Sequence, residues 1–125
     1  MANQIVWVDI PVLDLERAIS FYSAVLGTEL AQMEFPSGKL GFLPGRGDAV
    51  SGCLFQSETI RPSDHGPLIY LNCEGRLDVA VAAVPSGGGT IVEDIHEIGP
   101  HGYRAIILDS EGNRIALHSH TPSGA

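Results

Sequence analysis

Apolar and polar residues alternate from residue 4 to residue 10, with Val6, Val8 and Ile10 on one side of a strand and Ile5, Trp7 and Asp9 on the other. The first side is wholly apolar and is expected to face helices. The second pairs an indole with a carboxylate, which suits a cavity, and Pro11 ends the strand in this reading. The period then changes. Asp14 reads as an N-cap, Leu15, Ala18, Ile19, Tyr22, Val25 and Leu26 form a helical stripe, and Gly27 occupies the C′ position. Short strands are expected at 28–34 and about 39–43, around the turn Pro36-Ser37-Gly38, and at 49–56 after the glycine-rich turn 44–48.

The order then repeats. After a connecting loop at about 57–67, residues 68–73 form a strand with Ile69, Leu71 and Cys73 toward the helices and Leu68, Tyr70 and Asn72 opposite. Leu77, Ala80, Val81 and Val84 make a second helical stripe, cut short by Pro85 and Gly87-Gly88-Gly89. Strands follow at about 90–97, 103–108 and 114–120. The pairs Leu15/Leu77, Ala18/Ala80, Ile19/Val81, Tyr22/Val84, Gly27/Gly89 and Thr28/Thr90 all keep one offset of 62 residues (77 − 15 = 62). Two βαβββ modules, at about 4–56 and 68–120, therefore make up a single domain over residues 1–125, of the α+β class.

Composition narrows the function classes. A chain of 125 residues with 44% hydrophobic residues is expected to be ordered and globular. Fifteen acidic against seven basic residues give a net charge of −8, which argues against nucleic-acid or anionic-membrane partners. No stretch reaches the length of a membrane span, and residues 1–12 lack the pattern of a signal peptide, so a cytoplasmic location is expected. Cys53 and Cys73 each sit in an apolar strand without metal-type or redox-type spacing, and read as buried thiols. The glycine runs at 45–47 and 87–89 are turns, since neither lies between a strand and a helix as a phosphate cradle does.

The chain resembles the vicinal oxygen chelate superfamily, which includes glyoxalase I, bleomycin-resistance proteins and extradiol dioxygenases. The residues that carry the likeness are Ile10-Pro11-Val12, Asp14-Leu15-Glu16-Arg17-Ala18 with Phe21-Tyr22, Leu26-Gly27, Gly88-Gly89-Thr90 and Asp109-x-x-Gly112-Asn113-Arg114-Ile115. The resemblance implies a glyoxalase/bleomycin-resistance-like fold, with both modules forming a curved mixed sheet around one cavity, and a homodimer. In metal-dependent members it also implies one ligand from each of four strands. Those positions fall here on Trp7, Gly52, Leu68 and Ala116, none of which supplies a ligating side chain, so no cofactor is expected.

Within the implied cavity, Trp7, Asp9, Tyr70, Asn72 and His118 are the expected lining. They suit a small, mostly apolar organic molecule with a few hydrogen-bonding groups. Binding without metal is the leading functional expectation. The alternative is a lyase or isomerase, acting through an Asp9/His118 acid–base pair or through a metal held by an unusual histidine set such as His118, His120, His65 and His101. His96 reads as a surface residue. Arg104 stays unassigned, because strand alternation leaves both faces of 103–108 open.

Overall fold

The computed structural model describes residues 3–123. Its elements are β1 (Val8–Val12), α1 (Leu15–Leu26), β2 (Ala31–Phe35), β3 (Gly38–Phe42), β4 (Gly52–Gln56), β5 (Ile69–Asn72), α2 (Leu77–Ser86), β6 (Thr90–Glu97), β7 (Tyr103–Leu108) and β8 (Arg114–Ser119), with a 3-10 turn at Gly99–His101. A strand, a helix and three strands thus occur twice, as the 62-residue repeat predicts. Hydrogen bonds group the strands into two four-stranded mixed sheets, in the orders β1-β4-β3-β2 and β5-β8-β7-β6. In each sheet the module's first and last strands pair in parallel, and the other neighbours are antiparallel.

Strand β1 differs from its expected bounds. It begins at Val8 and continues through Pro11 to Val12, while Val6, expected on the helix side, lies before it and is 73% exposed. The pairing explains why proline is tolerated. The Val8 N–H donates to Ser51 O at 3.2 Å, so by alternation the N–H groups of Ile10 and Val12 share that side. The Pro11 nitrogen falls on the other edge, where no strand needs a donor. Leu68 likewise lies just outside β5.

Both helices form where the stripes predict. The Asp14 carboxylate accepts from the Arg17 N–H at 3.1 Å, and Gly27 ends α1 in the left-handed region at φ 72°. The buried face of α2 consists of Leu77, Ala80, Val81 and Val84, the four residues of its stripe. Phe21, absent from the expected α1 stripe, is buried beside Tyr22. It explains the glycine run: a Cβ on Gly89 would stand 2.6 Å from the Phe21 ring and 2.5 Å from Leu108 O. Glycine there lets α1 of the first module pack close to the second. One continuous core, including Ile10, Val12, Leu54, Ile107, Ile115 and Leu117, joins both sheets to both helices.

A polar clamp fastens the modules. Glu111, in the β7–β8 turn, accepts from the Leu13 and Asp14 N–H groups at 2.8 and 2.9 Å and pairs with the Arg17 guanidinium at 2.8 Å. Burial alone would raise its pKa. The hydrogen bonds from Arg17, Ser110, Asp14 and Leu13 outweigh that and hold it at about 2. In the same turn, Asp109 accepts from the Tyr22 hydroxyl at 2.5 Å, and the Asn113 amide donates to Pro11 O at 2.8 Å. Burial, reinforced by that carboxylate, pushes the Tyr22 phenol well above its ordinary value. The Asp109-to-Ile115 stretch that carries the resemblance is thus an intermodule fastening.

Candidate functional site

The sides of the sheets turned away from the helices can be read from register. In the first sheet, Asp9 stands opposite Cys53, Cys53 opposite Phe42 and Phe42 opposite Ala31. Trp7 packs edge-on to Phe42, with ring centroids 6.2 Å apart, and Phe35 meets the same ring. The Asp9 carboxylate accepts from Trp7 Nε1 at 2.9 Å and from Cys53 Sγ at 3.2 Å. Burial first, then the Asp9 contact, pushes the Cys53 thiol up to about 11, so it is not a nucleophile at neutral pH. This face is aromatic and its one carboxylate already has two donors.

The second sheet carries a polar row across all four strands. Asn72 stands opposite His118, His118 opposite Arg104, and Arg104 opposite His96. Arg104 Nε donates to His96 Nε2 at 3.0 Å, and Nη1 donates to the Tyr70 hydroxyl oxygen. His96 Nδ1 lies 2.9 Å from Asp94 O. A carbonyl only accepts, so His96 is the neutral Nδ1–H tautomer and its Nε2 lone pair receives the guanidinium. His118 Nε2 stands 2.6 Å from His101 O, which places a proton on Nε2, and Nδ1 has no hydrogen-bond partner among the described residues. Tyr70 and His118 pack edge-on with centroids 6.3 Å apart.

A pocket of about 420 Å³ opens on this face, lined by Tyr70, Ile98, His101 and His118. Its walls are an aromatic ring, an aliphatic chain and two imidazoles. A second hollow, about 680 Å³, lies between the start of α1 and strands β2–β4 and is walled mainly by polar side chains such as Gln32, Lys39 and Gln56.

The five expected lining residues are therefore divided between two faces. Trp7 and Asp9 lie on the first sheet, and Tyr70, Asn72 and His118 on the second. Asp9 and His118 share no hydrogen bond or ion pair among the described residues, because each is held by other partners. The Asn72 side chain turns back to accept from the Glu74 N–H at 2.8 Å. The His120 ring lies beside that of His118, with centroids 5.2 Å apart, and its Nδ1 is 2.7 Å from Glu74; the His120 N–H first, then this side-chain contact, lowers the Glu74 pKa. His65 pairs with Asp64 at 2.6 Å, in the loop between the modules.

Arg104, His96 and Ile98 were not identified from alternation. A signal existed for the first two. The turn at 109–113 sets Leu108 opposite Arg114, and four residues back along each strand Arg104 meets His118. The β6–β7 hairpin then brings His96 to Arg104.

The positions that would hold a metal in the resembling enzymes do not suit one here. Ala116 is fully buried with only a methyl group, and Trp7 offers an N–H donor already bonded to Asp9. At Gly52 even a Cβ would stand 2.2 Å from Val8 O. Among the described residues no three His, Cys, Asp or Glu side chains converge as a ligand set, and no helix is long and apolar enough to cross a membrane.

The fold has counterparts among known proteins. A glyoxylase-like domain-containing protein of Didymella fabae is 32% identical over 121 residues, covering 92% of both chains. A glyoxalase/bleomycin resistance protein of Albidiferax ferrireducens T118 superposes with a TM-score of 0.69 at 24% identity, covering 94% of this chain and 99% of that one. TnmS3, an antibiotic-binding protein of Streptomyces sp. CB03234, superposes with a TM-score of 0.66 at 23% identity, covering 94% and 96%. The model of the Glyoxalase/Bleomycin resistance protein/Dioxygenase superfamily matches residues 4–117, and the chain belongs to that superfamily.

Proposed function

We propose that the protein binds a small organic molecule without a metal, on the outer face of its second sheet. The observation that carries this is the pocket of about 420 Å³ bounded by Tyr70, Ile98, His101 and His118, beside the Tyr70–Arg104–His96 hydrogen-bond chain. Mostly apolar walls with a few oriented polar groups are the usual make-up of a small-molecule site. The superposition with an antibiotic-binding protein is in keeping with that reading. Trp7 and Asp9, expected beside the same ligand, are not among the residues lining this pocket; they contact each other and Phe42. A homodimer, as the resemblance implies, is part of the proposal and is tested by sedimentation.

The test of binding is ligand-observed NMR with a set of small aromatic and alicyclic compounds against the full chain. Binders are expected, and replacing Tyr70 or His118 by alanine is expected to abolish their signals with the fold retained. Binding that persists in both variants would overturn the placement.

One observation favours a second reading, a lyase or isomerase acting on the bound molecule. With its Nε2 proton held by His101 O, His118 leaves Nδ1 without a protein partner at the pocket wall, where the ring in its neutral form is a base. In that case the base works without the carboxylate partner that Asp9 was expected to supply. Turnover of a bound compound, lost in His118→Gln while binding persists, would establish the enzyme.

A further inference from the structure

We infer that the molecule bound at this pocket carries a carboxylate, and that Arg104 and Tyr70 receive it; this rests on the binding proposal above. The basis is which hydrogen-bonding groups on the face are already engaged. Arg104 donates through Nε to His96 and through Nη1 to the Tyr70 oxygen, which fixes the guanidinium plane and leaves both Nη2 protons without a partner among the described residues. Its two anchors are neutral groups. No carboxylate lies within ion-pairing distance of Arg104 among the described residues, although the chain has fifteen acidic residues against seven basic ones. Glu93 Oε1 lies 4.0 Å from His96 Nε2, which in the neutral ring makes no ion pair, and Glu93 makes none with Arg104.

Tyr70 adds a second donor. Its oxygen accepts from Arg104, and its own proton has no acceptor among the described residues. The guanidinium also lies 5.9 Å from the centre of the Tyr70 ring. Tyr70 is itself a wall of the pocket, which Ile98, His101 and His118 complete, and Arg104 adjoins that wall through the Tyr70 hydroxyl. A half-buried guanidinium held by neutral partners is a complement for a planar anion, which it meets with parallel N–H bonds. The ligand class is therefore an organic acid with an apolar body.

The experiment uses two probes of one shape, benzoate and benzamide, titrated calorimetrically into the full chain. Benzoate is expected to bind at least about tenfold more tightly than benzamide, the scale of a charge-assisted hydrogen bond. Arg104→Gln is expected to bring the two within about twofold by lowering benzoate affinity alone. Tyr70→Phe, which keeps the ring and removes the hydroxyl, is expected to reduce the preference about threefold. Equal binding of both probes to the unmodified chain would overturn the carboxylate inference and leave the binding proposal standing. A preference for benzoate that survives Arg104→Gln would overturn the assignment to Arg104. Failure of both probes to bind would overturn the inference together with the proposal beneath it.

Discussion

The two sheets are built alike on one side and unlike on the other. Toward the helices, Ile10, Val12 and Leu54 of the first sheet and Ile107, Ile115 and Leu117 of the second enter one continuous core. Away from them, the first sheet presents Trp7, Met33, Phe35 and Phe42, whereas the second presents Tyr70, Arg104, His96 and His118. Packing constrains the shared side, because a buried position tolerates little change in volume. The outer sides are released from that constraint. They are where two copies of one module acquire different chemistry.

The largest effects are expected on the shared side. Leu117→Ala removes a fully buried side chain and is expected to cost about 3 kcal/mol. Phe35→Ala, on the outer face of the first sheet and 39% exposed, is expected to cost less than about 1 kcal/mol. Urea denaturation of the two variants measures the contrast directly, and equal losses would break it.

The clamp between the modules is expected to appear as acid sensitivity. The Glu111 carboxyl is held at about 2 against an ordinary 4.5, so folding favours its ionised form. That contribution is complete above the unfolded value and is lost as pH falls from about 5 toward 2. It amounts to roughly 3 kcal/mol at neutral pH. Glu111→Gln is expected to be less stable at pH 7 and to show a flatter decline through that acid window. A variant whose decline matches the parent's would place the acid sensitivity elsewhere.

How much of this could be read from the chain divides along the same line. The helix stripes and the order of the strands follow from the spacing of apolar residues, because burial against a helix imposes a period, and the α1 caps follow from Asp14 and Gly27, whereas α2 runs through Pro85 to Ser86. Phe21 escaped the expected stripe because its burial depends on Gly87 and Gly89, far away in the chain. Pro11 reads as a strand end in the sequence, since only the pairing partner reveals that its nitrogen faces an open edge. On the outer faces periodicity identifies a side and says nothing of which side chains meet. Asp9 and His118 pair only through alternation combined with the cavity that the resemblance implies, and the structure gives each another partner. Arg104 was recoverable only by counting register outward from the 109–113 turn.

Smaller effects separate the outer faces from each other. Tyr70→Ala is expected to weaken binding of a pocket ligand by about tenfold or more, as loss of an aromatic wall and a hydroxyl implies. Trp7→Ala is expected to change it less than about twofold. A comparable loss in both variants would mean that the two faces serve one site. The smallest signal is expected from the thiols. Burial first of all pushes Cys53 and Cys73 each up to about 11, so neither is expected to react quickly with an aromatic disulfide at pH 8 until the protein unfolds. Rapid labelling of the native chain would show that the Asp9–Cys53 contact opens.

The most direct test of the division of labour between the faces is a ¹⁵N-resolved NMR titration of the full chain with benzoate. Shift changes confined to Tyr70, Ile98, His101, Arg104 and His118 would place the ligand on the second sheet, as the account predicts. Changes centred on Trp7, Phe42 and Cys53 would place it on the first and contradict the account.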